Sequence, residues 1–206
     1  GDALGYAGGA GALNKKKELP LTNSGDSCVN DIQAVAVLTL FAVFAGIEIW
    51  RGRFFASEAT REDKRLDAAV IVIFPLMIIP TIFFTSYWLG SRYFPEYQDA
   101  LAQWPWWAMV VTLLFADDMT QYWWHRMSHS SWMWPFHRAH HSAAYMGVRV
   151  VYRNNFFYYA VMPGLWLAGA LIYLGFGWVY VLYSIVKMAV IIGAHSEARW
   201  DEALHR

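Results

Sequence analysis

Between Phe156 and Ile192 the chain carries one charge, Lys187, in an otherwise almost wholly apolar run. A bilayer core is crossed by about 20 apolar helical residues, so this run is long enough for two crossings. Gly175-Phe176-Gly177 is the natural turn between them. Three more apolar stretches precede it. Ile32 to Trp50 holds a single charge, Glu48, near its end; Ala68 to Gly90 holds none, with Pro75 and Pro80 inside; and about Pro105 to Trp124 has Asp117 and Asp118 in its second half. Prolines are tolerated in membrane helices where neighbours re-satisfy the freed carbonyls. The expected fold is therefore all-α: a polytopic membrane helix bundle of about four to five spans with a histidine-rich cytoplasmic cap.

Composition agrees with that fold. Hydrophobic residues are 57 % and charged residues 16 % of the chain, against about 25 % charged in a soluble domain. Basic and acidic residues cancel, so no net field draws nucleic acid. The single cysteine, Cys28, excludes an internal disulfide framework and a Cys-rich zinc or iron–sulfur site. Residues 1–30 are Gly-, Ala- and Ser-rich with Lys15-Lys16-Lys17, and read as a flexible tail before one membrane domain over 31–206. That tail has no apolar core of signal-peptide type, and the start at Gly1 reads as a processed, trimmed or partial product.

Alternating spans place residues 51–67, the segment 125–155 and the segment after His195 on one side. That side collects Arg51, Arg53, Arg61, Lys64, Arg65, Arg126, Arg138, Arg149, Arg153, Arg199 and Arg206, against Arg92 and the tail lysines opposite. Positive loops mark the cytoplasmic face. A re-entrant first span would return the tail to that same side. Trp104, Trp106, Trp107, Trp123, Trp124, Trp132 and Trp134 fall where interfacial aromatic belts are expected.

On this side five of the seven histidines crowd into HRMSHSSWMWPFHRAHH. His125 and His129 make an HxxxH pair and His137, His140 and His141 an HxxHH triplet. Residues three or four apart share a helix face, so each group can aim its imidazoles at one point. Imidazole suits iron, copper, nickel and zinc, and five such ligands exceed the need of one tetrahedral zinc. The arithmetic favours two metals or an octahedral ion. Asp118, two turns before His125, is placed to fix a ligand's tautomer as a carboxylate partner, and Tyr122 is a similar candidate. Arg126 and Arg138 point away from the cluster. Glu48 reads as interfacial, and Lys187 as a snorkelling residue or one half of an ion pair. The stretch Arg149 to Asn155 reads as a headgroup or redox-partner contact, or as a positive flank. Glu197 reads as a surface residue, with a role at the metal as the second option.

The segments DDMTQYWWHRMSH (Asp117 to His129) and WPFHRAHHS (Trp134 to Ser142) resemble the membrane fatty acid hydroxylase and sterol desaturase superfamily, and AHSE around His195 resembles its next histidine element. The resemblance is sharp over 117–142 and looser over about 31–200. It implies a di-iron centre on a four-helix-like membrane scaffold, with two irons held by His125, His129, His137, His140, His141 and His195. It also implies O2-dependent hydroxylation or desaturation of an unactivated C–H bond in a lipid, in a bacterial inner membrane or the endoplasmic reticulum. Members carry a further cluster, usually HxxHH, downstream. Here only His205 follows, so it is a further candidate ligand, and the chain is expected to lack its C-terminal part. Thirty tail residues cannot build a redox domain, so electrons are expected from a separate b-type cytochrome or a ferredoxin with its reductase. The alternative is an accessory or structural subunit of a larger membrane complex with a degenerate metal site. A membrane zinc hydrolase is the third reading, and no nucleophile or base motif supports it.

Overall fold

In the computed structural model residues 24–55 and 59–196 are described, and the regular structure among them is helical. Helix α1 covers Ser24–Trp50 and so begins inside the stretch assigned to the tail. Helix α2 (Arg61–Ile73) opens on a capping box in which Thr60 and Asp63 satisfy each other's backbone N–H groups. It runs through one π turn (Phe74–Ile78) into α3 (Ile79–Tyr93). The two prolines explain that turn. Pro75 and Pro80 have no N–H to give the ladder, and Ile79 reaches back to the Phe74 carbonyl instead.

Helix α4 spans Trp106–Ser128 and α5 Trp134–His137, followed by short 3-10 turns at His140–Ser142 and Val148–Val150. Helices α6 (Phe156–Ala160), α7 (Pro163–Leu171) and α8 (Gly177–His195) complete the described helices. Between α7 and α8 Gly175 adopts φ 112°, where the chain reverses. This is the turn expected from Gly175-Phe176-Gly177. A side chain there would also meet the backbone of Ala102 at 2.7 Å.

Contacts fix the directions. Gly164 faces Asp117 and Thr120, while Leu171 joins Met109 and Leu113 in one buried cluster, so α7 runs antiparallel to α4. Phe176 and Val179 share that cluster and Tyr183 meets Asp117, so α8 runs parallel to α4. Ser86 and Tyr173 lie against Gly169 and Gly90, which sets α3 parallel to α7. Helix α1 packs along α8, with Gln33 donating to Ser184 at 2.6 Å. The C-terminal ends of α4 and α8 therefore lie together, beside the start of α2.

Among the described residues two helical stretches are long and apolar enough to cross a membrane, Arg61–Tyr93 and Phe156–His195; the second is the one reversed at Gly175. The expected count of four to five spans is not reached by that measure. Asp117 and Asp118 lower the hydropathy of α4, and the apolar part of α1, Val35–Trp50, is shorter. The outer faces are nevertheless apolar. Leu182, Val186 and Val190, four residues apart on α8, are each more than half exposed, an apolar stripe that suits lipid contact. Of the tryptophans assigned to interfacial belts, Trp124 departs: it is buried, packed on Tyr158 at 5.5 Å between ring centroids.

Candidate metal centre

The site is built where α4 ends. His125 lies in its last turn and His129 is its C-cap residue, one turn on. The chain turns through residues 130–133, and Pro135 starts α5 where its missing N–H costs nothing. That places His137 at the end of α5 and His140 and His141 in the following 3-10 turn, all returned toward α4.

Four imidazoles converge. One ring nitrogen from each of His125, His129, His137 and His141 lies within 4.8 Å of the others. The Nε2 atoms of His125 and His129 are 3.2 Å apart, and those of His137 and His141 3.1 Å. Ligand nitrogens at about 2.0–2.1 Å from one ion lie roughly 3 Å from their neighbours in tetrahedral or octahedral geometry. The spacing therefore fits the edges of a coordination shell. His137 is buried, stacked on Tyr158 at 5.0 Å, and its Nδ1 has no hydrogen-bond partner among the described residues.

His140 stands beside this group, its ring centroid 5.3 Å from His137 and 5.2 Å from His141. On its other side it meets His195 from α8, at 5.7 Å. His140 Nδ1 is 3.3 Å from the Arg153 carbonyl, and His195 Nδ1 is 2.8 Å from the Ile191 carbonyl. The six histidines named from the sequence thus form one continuous group, four tightly convergent and two adjoining. His205 and Glu197 lie outside the described residues.

The electrostatics favour neutral rings. Burial pushes His137 down to about 4, and the neighbouring His125, His140 and His141 push the same way. Burial likewise holds His140 at about 4, helped by His195 and His141, and lowers His141. Uncharged imidazole is the form that binds a metal.

Two expected supporting residues sit elsewhere. Asp118 is exposed on α4 and makes no hydrogen bond to an imidazole among the described residues. Tyr122 is also exposed, and its hydroxyl accepts from Arg126 at 2.7 Å. The α4 carboxylate with partners on another helix is Asp117, half-buried, whose Oδ2 lies 2.5 Å from Lys187 Nζ and accepts from Tyr183 at 2.6 Å. Glu48, expected at the interface, is buried and accepts from the Val148 N–H at 2.9 Å.

The largest surprise is Arg153. It is a buried hub rather than a surface contact, at 3 % exposure. Its guanidinium pairs with Asp63 at 2.5 Å and Asp67 at 3.1 Å on α2. It also donates to the Ala139 carbonyl and to Ser142 Oγ, both at 3.1 Å. Tyr145 closes the network with a very short hydrogen bond to Asp67. Arg149 lies over the rings of Tyr145 and Phe54. The segment between the second histidine group and α6 is thereby clamped to α2. A basic stretch after a histidine group gives no sequence signal for this, because the acidic partners lie some ninety residues earlier.

Fold and site define an all-helical protein with long apolar helices and, at one end of its bundle, a histidine group able to hold metal. The model of the fatty acid hydroxylase family matches residues 110–206, the part that carries every one of these histidines, so this part of the chain is similar to that family. Family and apolar helices point together to an integral membrane protein. No curated protein and no solved structure matches the chain.

Proposed function

We propose that this protein carries out O2-dependent oxidation, hydroxylation or desaturation, of an unactivated C–H bond in a lipid, at a di-iron centre. The observation that carries the reading is the convergence of four imidazole nitrogens within 4.8 Å, with His140 and His195 adjoining, inside a fatty acid hydroxylase match. An all-nitrogen donor set with open positions suits iron.

His125, His129, His137 and His141 would hold one side of the centre, and His140 and His195 would extend it toward a second ion. Bound iron supplies O2 activation and one-electron chemistry. The chain's own residues do the rest. Arg153 and the Ile191 carbonyl orient ring nitrogens. Tyr158 and Trp124 form an apolar wall beneath His137, which excludes water from the side facing the bundle. The apolar outer faces give a lipid lateral access. A separate carrier, a b-type cytochrome or a ferredoxin with its reductase, delivers electrons from the cytoplasmic side, an orientation of the histidines that the positive loops support.

Metal analysis of the purified full chain in detergent tests this. About two irons per chain, with O2 consumption coupled to lipid oxidation, is the expected result. A folded protein that takes up no iron on reconstitution would overturn it and leave the accessory-subunit reading standing.

A further inference from the structure

The polar residues least expected in this bundle are Asp117, Tyr183 and Lys187. They meet between α4 and α8, where α7 presents Gly164 rather than a side chain. A small cleft opens beside them, lined by Leu113, Leu167, Ala168 and Leu171 as well as Asp117 and Tyr183. The Oδ2 atom of Asp117 takes both Tyr183 and Lys187, and Oδ1 makes no hydrogen bond among the described residues. Oδ1 faces Gly164, where an added Cβ would lie 3.5 Å from it. Lys187 keeps two further N–H groups, Asp117 being its one ion-pair partner among the described residues.

Ionisable groups inside apolar helices are costly, and their presence marks a function more often than a structural need. The chemistry on offer is specific. An Asp–Lys pair is neutral overall, so it does not select a charged ligand. A free carboxylate oxygen beside an ammonium offers one acceptor and spare donors, which fits a neutral group that both gives and takes a hydrogen bond. A hydroxyl is that group. Position adds to this. Asp117 precedes His125 by eight residues and Lys187 precedes His195 by the same number, which is about 12 Å along each helix. The two helices run in parallel, so the cluster lies about two turns below the histidines on both.

We propose that Asp117, Lys187 and Tyr183 form a subsite for the hydroxyl of an otherwise apolar lipid, setting which carbon is presented to the histidine cluster. The proposal rests on the lipid-oxidising reading for its purpose, though binding itself needs no metal.

The test is equilibrium binding to the metal-free full chain in detergent, with three probes of equal chain length: a long-chain primary alcohol, its methyl ether and the corresponding fatty acid. The alcohol should bind at least about tenfold more tightly than the ether, the worth of a hydrogen bond to a charged group, and more tightly than the carboxylate. The charge-balanced double variant Asp117→Asn/Lys187→Met should abolish the preference. Gly164→Ala, which fills the space beside Oδ1 and leaves the charges in place, should reduce it. Equal binding of alcohol and ether by the unmodified chain, or stronger binding of the fatty acid, would overturn the subsite. So would a preference that survives in the folded double variant. Loss of the oxygenase reading alone would appear as absent iron with the alcohol preference intact.

Discussion

The carbonyl oxygen of Arg153 lies 3.3 Å from Nδ1 of His140, and a carbonyl can only accept. The hydrogen of that ring therefore sits on Nδ1, and the Nε2 lone pair is left free. His195 is held in the same way by the Ile191 carbonyl. Both rings thus present the atom, Nε2, through which the pairs His125–His129 and His137–His141 approach each other. Fixing the tautomer through the second ring nitrogen is the usual task of groups behind metal-bound histidines. Here backbone carbonyls do it, one of them attached to the buried hub.

Arg153→Ala should therefore act twice. It leaves Asp67, 1 % exposed, and Asp63 without their cation. Breaking a buried pair from one side costs about 3–5 kcal/mol. It also releases the Ala139 and Ser142 contacts that shape the histidine turn, so metal affinity should fall about 10- to 100-fold. Arg153→Lys should recover part of the stability and less of the affinity, because an ammonium cannot span all of these acceptors. Thermal melting and metal titration in detergent read the two effects separately.

Alanine at any of the four convergent histidines removes one of a set whose nitrogens lie within 4.8 Å. His137→Ala also leaves a cavity against Tyr158, so it should lower both metal content and melting temperature. His129→Ala, at an exposed position, should lower metal content with little change in melting. His140→Ala should abolish both iron retention and turnover. Iron retained at the unmodified level in this last variant would remove His140 from the ligand set.

Acid should loosen the site before it unfolds the bundle. His137 and His140 are held at about 4 by burial, while unfolded histidine titrates near about 6.5. Between those values the unfolded chain binds more protons than the folded one, so stability falls as pH drops through that window and is fully present above it. The metal-free protein should show a falling denaturation midpoint from about pH 6.5 toward 4. Replacing both histidines with glutamine should flatten the profile. A bound metal, which competes with protons for the same nitrogens, should shift the fall to lower pH.

How much of this was legible in the sequence depends on the range of the interaction. Histidine spacing is local, and the helix end and turn that gather His125, His129, His137 and His141 are written in adjacent residues. The reversal at Gly175 was legible for the same reason. Lys187 was visible as an odd charge, but its partner Asp117 lies seventy residues away and is identified only once α4 and α8 pack. The role of Arg153 is hidden in the sequence because a basic residue after a histidine group looks the same whether it faces water or two aspartates of a distant helix. Helical phase alone favours Asp118 over Asp117. Phase gives the shared face, but it does not say which face α8 covers.

That long-range packing depends on one backbone position. Gly175 sits at φ 112° between α7 and α8, a region that L side chains enter at a cost of about 1–3 kcal/mol. A Cβ there would also approach the Ala102 nitrogen to 2.7 Å, and the same loop is pinned by Leu101 donating to the Leu174 carbonyl at 2.8 Å. Gly175→Ala should thus destabilise by at least about 1–3 kcal/mol, visible as a lowered melting temperature. Because α8 carries both Lys187 and His195 in register with α4, the strain should also weaken metal binding although the substitution is remote from the histidines. Gly46→Ala is the control: nothing lies within 4 Å of its Cβ position in α1, so gaining a helix-favouring residue should leave metal binding unchanged and melting equal or slightly higher. If Gly175→Ala melts like Gly46→Ala, the turn does not set the register of the α7–α8 pair.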